Sequence, residues 1–124
     1  MANSIAYCLV LCTVLLTVCG QFLIKWQVLR AGNLPADFGE RIKFVVQLLL
    51  NPWVIIAILA AFLASVTWML AMTRLQLSHA YPLTALTFVL VVLGSSIIFT
   101  EPLTTPKVVG LALIVVGIVV GSQG

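Results

Sequence analysis

The sequence predicts an all-α membrane protein, a single domain built as a four-transmembrane-helix bundle, and three observations carry that prediction. Of the 124 residues 63% are hydrophobic and 7% charged, with a mean hydropathy of +1.27, against roughly 45–50% apolar and about 25% charged in soluble domains. Apolar runs of about the 20 residues that a bilayer crossing needs recur along the chain. Prolines and charges gather between those runs. This composition excludes a soluble globular domain, and it lacks the low hydrophobicity and high net charge that keep a chain disordered.

The first span is expected over residues 4–24. Met-Ala-Asn-Ser before it carries no side-chain charge, so it reads as a membrane helix and not a cleaved signal. Residues 30–43 hold Gly32, Pro35, Asp37, Gly39, Glu40 and Arg41, the one segment where charge and helix breakers coincide, and are expected as a loop. Phe44 to Leu50 either lies at the interface or extends the next helix, whose start is marked by Asn51 as N-cap and Pro52 at the first helical position. The second span then covers about 52–73. A tight link with Arg74, Gln76, Ser78 and His79 leads to the third span, about 80–99, with Pro82 in its first turn, where a missing N–H does least harm. Glu101 to Pro106 breaks the chain again, Thr105 caps, and Pro106 opens the fourth span, about 106–120.

Six Lys and Arg against three Asp and Glu sit singly between apolar runs, with no basic stripe for nucleic acid. Lys25, Arg30, Arg41, Lys43 and Lys107 flank the first and third connections and Arg74 alone the second, so the positive-inside rule puts the first and third in the cytoplasm and the termini outside. Such a bias also opposes insertion in both orientations. Cys8, Cys12 and Cys19 fall in one apolar run without a His nearby, which suits small packing residues and not a metal site.

Ionisable groups at membrane depth are functional candidates, and the centres of all four runs contain none. Four stand near helix ends: Lys25, Arg74, His79 and Glu101. Thr13, Thr17, Gly20 and Gln21 share an arc of about 100° with Lys25 at its edge, a face that either receives a polar headgroup and anchors a phosphate at Lys25 or ends in a snorkelling anchor beside Trp26. Arg74 is either a second anion ligand or a helix-end anchor. Glu101 either pairs with Lys25, favours the start of the fourth helix, or meets a cationic group of a substrate. Tyr81, Thr84, Phe88 and Ser95 share one face of span three, as do Ser65, Trp68, Met69 and Met72 of span two. Together with span one these would line a cavity suited to a sugar with an apolar tail, or simply pack helices. Gly110, Gly117 and Gly121 form a helix-association face. No phosphate-binding loop is present, so neither nucleotide nor other cofactor is expected, and so little extramembrane mass leaves an enzyme no room.

Gly20-Gln21 to Lys25 closing span one, Ala80-Tyr81-Pro82 opening span three and Glu101-Pro102 before a Gly-rich last helix resemble the small members of the drug/metabolite transporter superfamily. Within it the chain is similar to the small subunits of the aminoarabinose-phosphoundecaprenol flippase, over nearly its whole length. The resemblance implies a transporter of the bacterial inner membrane, active in lipopolysaccharide modification, that moves a polyprenyl-phosphate-linked monosaccharide between leaflets. Lys25 and Arg74 would hold the phosphate, Thr17, Gln21, Trp68, Tyr81 and Thr84 the sugar, and Glu101 would gate or meet an amino group. Its partners would be the lipid-linked sugar, membrane lipids and a second small subunit, in a homodimer or heterodimer. The small multidrug resistance exporters in the same superfamily carry an essential Glu in the first helix. Alignment places Thr17 there, which disfavours export of hydrophobic cations. A third reading is a non-transporting accessory subunit.

Overall fold

Hydrocarbon offers the backbone no hydrogen-bond partners, so apolar runs of this length must close their bonds within helices. The computed structural model describes residues 2–124, and every regular element among them is helical. The order is α1 (Ala2–Ala31), α2 (Phe38–Leu50), α3 (Pro52–Met72), α4 (Leu77–Ala80), a 3-10 turn (Tyr81–Ala85), α5 (Leu86–Ile98) and α6 (Thr105–Gly121). Three helical stretches are long and apolar enough to cross a membrane: residues 4–31, Pro52–Met72, and Leu77–Ile98 taken through the 3-10 turn; Thr105–Gly121 is a shorter apolar helix. The architecture is an all-α four-helix membrane bundle, and the chain is a multi-pass membrane protein.

Several boundaries differ from the sequence expectation. Helix α1 runs past Ile24 to Ala31 and stops at Gly32, whose φ of +92° ends the helix in the left-handed conformation that glycine adopts without strain. The loop expected over 30–43 shrinks to residues 32–37, because α2 begins at Phe38. Glu40, Arg41 and Lys43 mark no loop; Glu40 and Lys43 occupy one side of α2, Phe38, Ile42, Val45, Val46 and Leu49 form an exposed apolar stripe on the other, and Arg41 borders that stripe. Thr104, not Thr105, stands at the N-cap of α6.

The break between α2 and α3 has a local cause. Pro52 bars the α region to Asn51, which sits at φ −65°, ψ 128°. Asn51 Oδ1 then accepts a hydrogen bond from Trp53 N at 2.9 Å and caps α3. Ser78 and His79, expected in a link, lie in α4, and Pro82 falls in the 3-10 turn that joins α4 to α5.

Helices α1 and α3 form an antiparallel pair that supplies most of the chain's interior. Val54, Ala57, Ala64 and Ala71 make one buried face of α3, and Ala6, Val10 and Gly20 meet it from α1. At Gly20 a Cβ would stand 3.3 Å from the Ala57 carbonyl oxygen, so the absent side chain sets the approach. Thr13 Oγ1 lies 2.7 Å from Thr67 Oγ1, a cross-helix hydrogen bond. Helix α5 runs alongside α1, with Phe22 filling the space above Gly94, where a Cβ would collide with the ring. Helix α6 is attached at the edge with Leu111 its one buried residue.

Candidate groove between α1 and α3

Where the small residues of α1 and α3 leave space, a groove of about 340 Å³ opens, its lining mostly apolar, with Thr13, Thr17 and Gln21 from α1 and Ser65 and Trp68 from α3 among it. Its polarity comes from uncharged groups. Thr17 Oγ1 donates to Thr13 O at 2.7 Å and Ser65 Oγ to Ala61 O at 3.2 Å, so both hydroxyls keep acceptor capacity for a ligand while satisfying their own protons. Gln21 is exposed along the groove with its amide free to donate and accept. The lining contains no ionisable side chain.

Charge stands one turn beyond. Lys25 follows Gln21 on the same helical face, and its Nζ is 3.7 Å from Glu101 Oε1, both side chains being partly exposed. Of the three alternatives open for Glu101, this geometry has the pairing with Lys25. Trp26 lies beside it, its ring 5.5 Å from that of Trp53 in an edge-on contact, with the Arg30 guanidinium 5.5 Å over its face. Such a cluster of aromatic rings and cations is typical of the membrane–water interface.

The other expected residues are distributed differently. Trp68 is half-buried against the Val10, Ala71 and Ala80 cluster and meets the Tyr81 ring edge-on at 6.1 Å, which places Tyr81 next to the groove without lining it. Thr84 Oγ1 is spent on Tyr81 O at 2.6 Å, and neither Thr84, Phe88 nor Ser95 reaches the groove. The cause is the side of α1 that each helix takes: α5 packs on Phe22 through Gly94, about 100° from Gln21 and away from the arc that lines the groove. Met72 packs into the core cluster instead of the groove. Cys8, Cys12 and Cys19, expected as packing residues, are all exposed on α1.

Arg74 lies at the opposite end of the bundle, in a cleft with Ile5, Ala6, Leu9, Leu70 and Thr73. At 1.5 Å rise per residue, Leu9 and Lys25 are roughly 24 Å apart along α1, so Arg74 and Lys25 cannot hold one phosphate together. Near Arg74, Tyr7 Oη and His79 Nε2 are hydrogen-bonded at 2.6 Å.

One polar centre lies outside the residues expected from the sequence. Gln27 is 4% exposed and its Oε1 accepts from Asn51 Nδ2 at 2.9 Å, while its Nε2 is buried with no partner among the described residues. A donor left this way costs about 1–3 kcal/mol. The signal available was spacing, since Gln27 follows Gly20 by two helical turns and so continues the face packed on α3.

No family model and no solved structure matches the chain. Curated relatives do. A protein of Pseudomonas aeruginosa (strain UCBPP-PA14) named "Probable 4-amino-4-deoxy-L-arabinose-phosphoundecaprenol flippase subunit ArnE" is 37% identical over 112 residues, 90% of this chain and 91% of the relative. Proteins of the same name from Serratia proteamaculans (strain 568), 34% identical over 95% of this chain and 96% of theirs, and from Aeromonas hydrophila subsp. hydrophila, 31% identical over 88% and 90%, align similarly. Identity at this level along nearly the full length of both partners is a family relationship, and the chain belongs to the 4-amino-4-deoxy-L-arabinose-phosphoundecaprenol flippase subunits.

Proposed function

We propose that this chain is a non-enzymatic flippase subunit of the bacterial inner membrane that carries the headgroup of a polyprenyl-phosphate-linked amino sugar between leaflets while the lipid tail stays in hydrocarbon. The observation that carries the reading is the uncharged, mostly apolar groove between α1 and α3, with the hydroxyls of Thr13, Thr17 and Ser65 and the amide of Gln21 along it and a Lys–Glu pair one turn beyond. Hydroxyls suit a sugar, and Trp68 with Tyr81 beside it offers an aromatic surface to its apolar face. The relatives' names add a specific fit, because their lipid bears both a phosphate and an amine. Such a headgroup would exchange the Lys25–Glu101 contact for two, phosphate on Lys25 and amine on Glu101, so opening the pair leaves neither charge alone.

The separation of Arg74 from Lys25 gives each a different task. A lipid that changes leaflets presents its phosphate first at one membrane face and then at the other, and the two cations stand at the two ends of the bundle. By the charge bias of the connections, Lys25 is on the cytoplasmic side and Arg74 outside. The chain acts with a second small subunit. The relatives are named subunits, and the Gly110, Gly117 and Gly121 side of α6 has nothing within 4 Å of where their side chains would begin. A fixed orientation favours a parallel copy or a similar partner over an antiparallel homodimer.

Reconstituted translocation of an undecaprenyl-phosphate amino sugar tests this, and Lys25→Ala is expected to lower it at least a hundredfold. Wild-type translocation by that variant would remove Lys25 from the pathway. Stabilisation by a hydrophobic aromatic cation, with no response to the lipid-linked sugar, would point back to an exporter.

A further inference from the structure

A second polar pocket, of about 380 Å³, opens where α1 ends and α3 begins, lined by Gln27, Arg30, Asn51 and Trp53 among others. Its chemistry can be deduced atom by atom. Asn51 Oδ1 is committed to the α3 cap, accepting from Trp53 N, so Asn51 must turn its Nδ2 donor to Gln27. Gln27 must then present its oxygen to Asn51, which leaves its Nε2, a donor, buried without an acceptor among the described residues beside the pocket that Gln27 lines. The cap thereby fixes the sign of the vacancy: the pocket lacks an acceptor. Arg30, stacked over Trp26, has no carboxylate partner among the described residues and lines the same pocket. The N-terminal end of the 21-residue helix α3 adds positive potential. Arg30 is exposed and solvated, so the unmet need is that of Gln27, and one anion seated beside both would accept from Gln27 and from the guanidinium together. The aromatic pair Trp26 and Trp53 sets the pocket at the membrane–water interface, the level of lipid phosphates.

We propose that this pocket is a phosphate-binding site in which Gln27 Nε2 and the Arg30 guanidinium are the donors. It is separate from the Lys25 end of the groove, because Gln27 and Arg30 lie about 60° apart on α1 while Lys25 is about 160° from Gln27 and about 140° from Arg30. Ligands with the same chemistry include free phosphate, a bilayer phospholipid and the polyprenyl phosphate itself.

The test is thermal unfolding of the full chain in detergent, titrated separately with inorganic phosphate, phosphatidylglycerol and undecaprenyl phosphate. The informative variants are Gln27→Glu, which keeps the oxygen for Asn51 and puts a carboxylate where the free donor was, and Arg30→Gln. Saturable stabilisation by at least one probe is expected, with the half-saturating concentration raised tenfold or more in both variants, and the responding probe identifies the source. No saturable stabilisation by any probe, or an unchanged half-saturation in either variant that folds, overturns the site. Should Gln27→Glu fail to fold, Arg30→Gln alone decides.

Discussion

Helices α1 and α6 are both apolar and both end near glycine, yet the structure uses them in opposite ways. Along α1 one row of small and polar residues is used within the chain: Gly20 lets α3 approach, Thr13 bonds to Thr67, and Gln27 bonds to Asn51. Along α6 nothing lies within 4 Å of where side chains at Gly110, Gly117 and Gly121 would begin, and most of the surface is open. In hydrocarbon no hydrophobic force separates a helix facing lipid from one facing protein, so close packing and interhelical hydrogen bonds decide which surfaces join. The difference therefore distinguishes a pair that assembles within the chain from a face left for something outside it.

That contrast can be broken most forcefully at its glycines. Gly20→Leu should separate α1 from α3 and lower stability by about 1–3 kcal/mol in thermal unfolding, whereas Gly117→Leu should leave the isolated chain within roughly 0.5 kcal/mol and instead reduce its association, read by crosslinking in membranes. Equal unfolding losses at the two positions would abolish the distinction. A smaller effect is expected of Thr13→Val, which removes the bond to Thr67 while keeping the shape. Interhelical bonds in membranes average about 0.6 kcal/mol and reach about 1.7, so a loss in that range is expected, with Thr67→Val adding little once Thr13 is gone. The smallest effect is expected outside the pair: Ile42→Asp on the apolar stripe of α2 should change unfolding in detergent little but weaken the binding of a peptide spanning residues 38–50 to lipid vesicles, measured by circular dichroism.

Much of the fold was legible because helical periodicity and bilayer thickness constrain the same residues twice. The Thr13, Thr17, Gly20, Gln21 face projected from the sequence is the wall of the groove, and the Lys25–Glu101 pairing was among the alternatives its position allowed. Three things were not legible, each for a physical reason. Charge served as a marker of loops, so Glu40, Arg41 and Lys43 concealed the polar side of an amphipathic helix. Ending the first helix at Ile24 hid the last two turns of α1, and with them Gln27 and its distant partner Asn51. The shared face of the third crossing was drawn correctly in angle but not in place, because α5 packs on the Phe22 side of α1 and the groove lies between α1 and α3.

The ion pair between Lys25 and Glu101 also has a consequence for biogenesis. Synthesis proceeds from the N-terminus, so α1 and α3 enter the membrane and zip together along Thr13, Gly20 and Gln27 while the ribosome has yet to make the carboxylate that Lys25 will meet. Until then the lysine must reach for the aqueous boundary. Its neutralisation waits for the arrival of α5 and the turn behind it, so contact between residues 25 and 101 is a timestamp: an intermediate arrested before Glu101 would hold a finished helical hairpin with an unanswered cation, and closure of that pair records that the third crossing is in place.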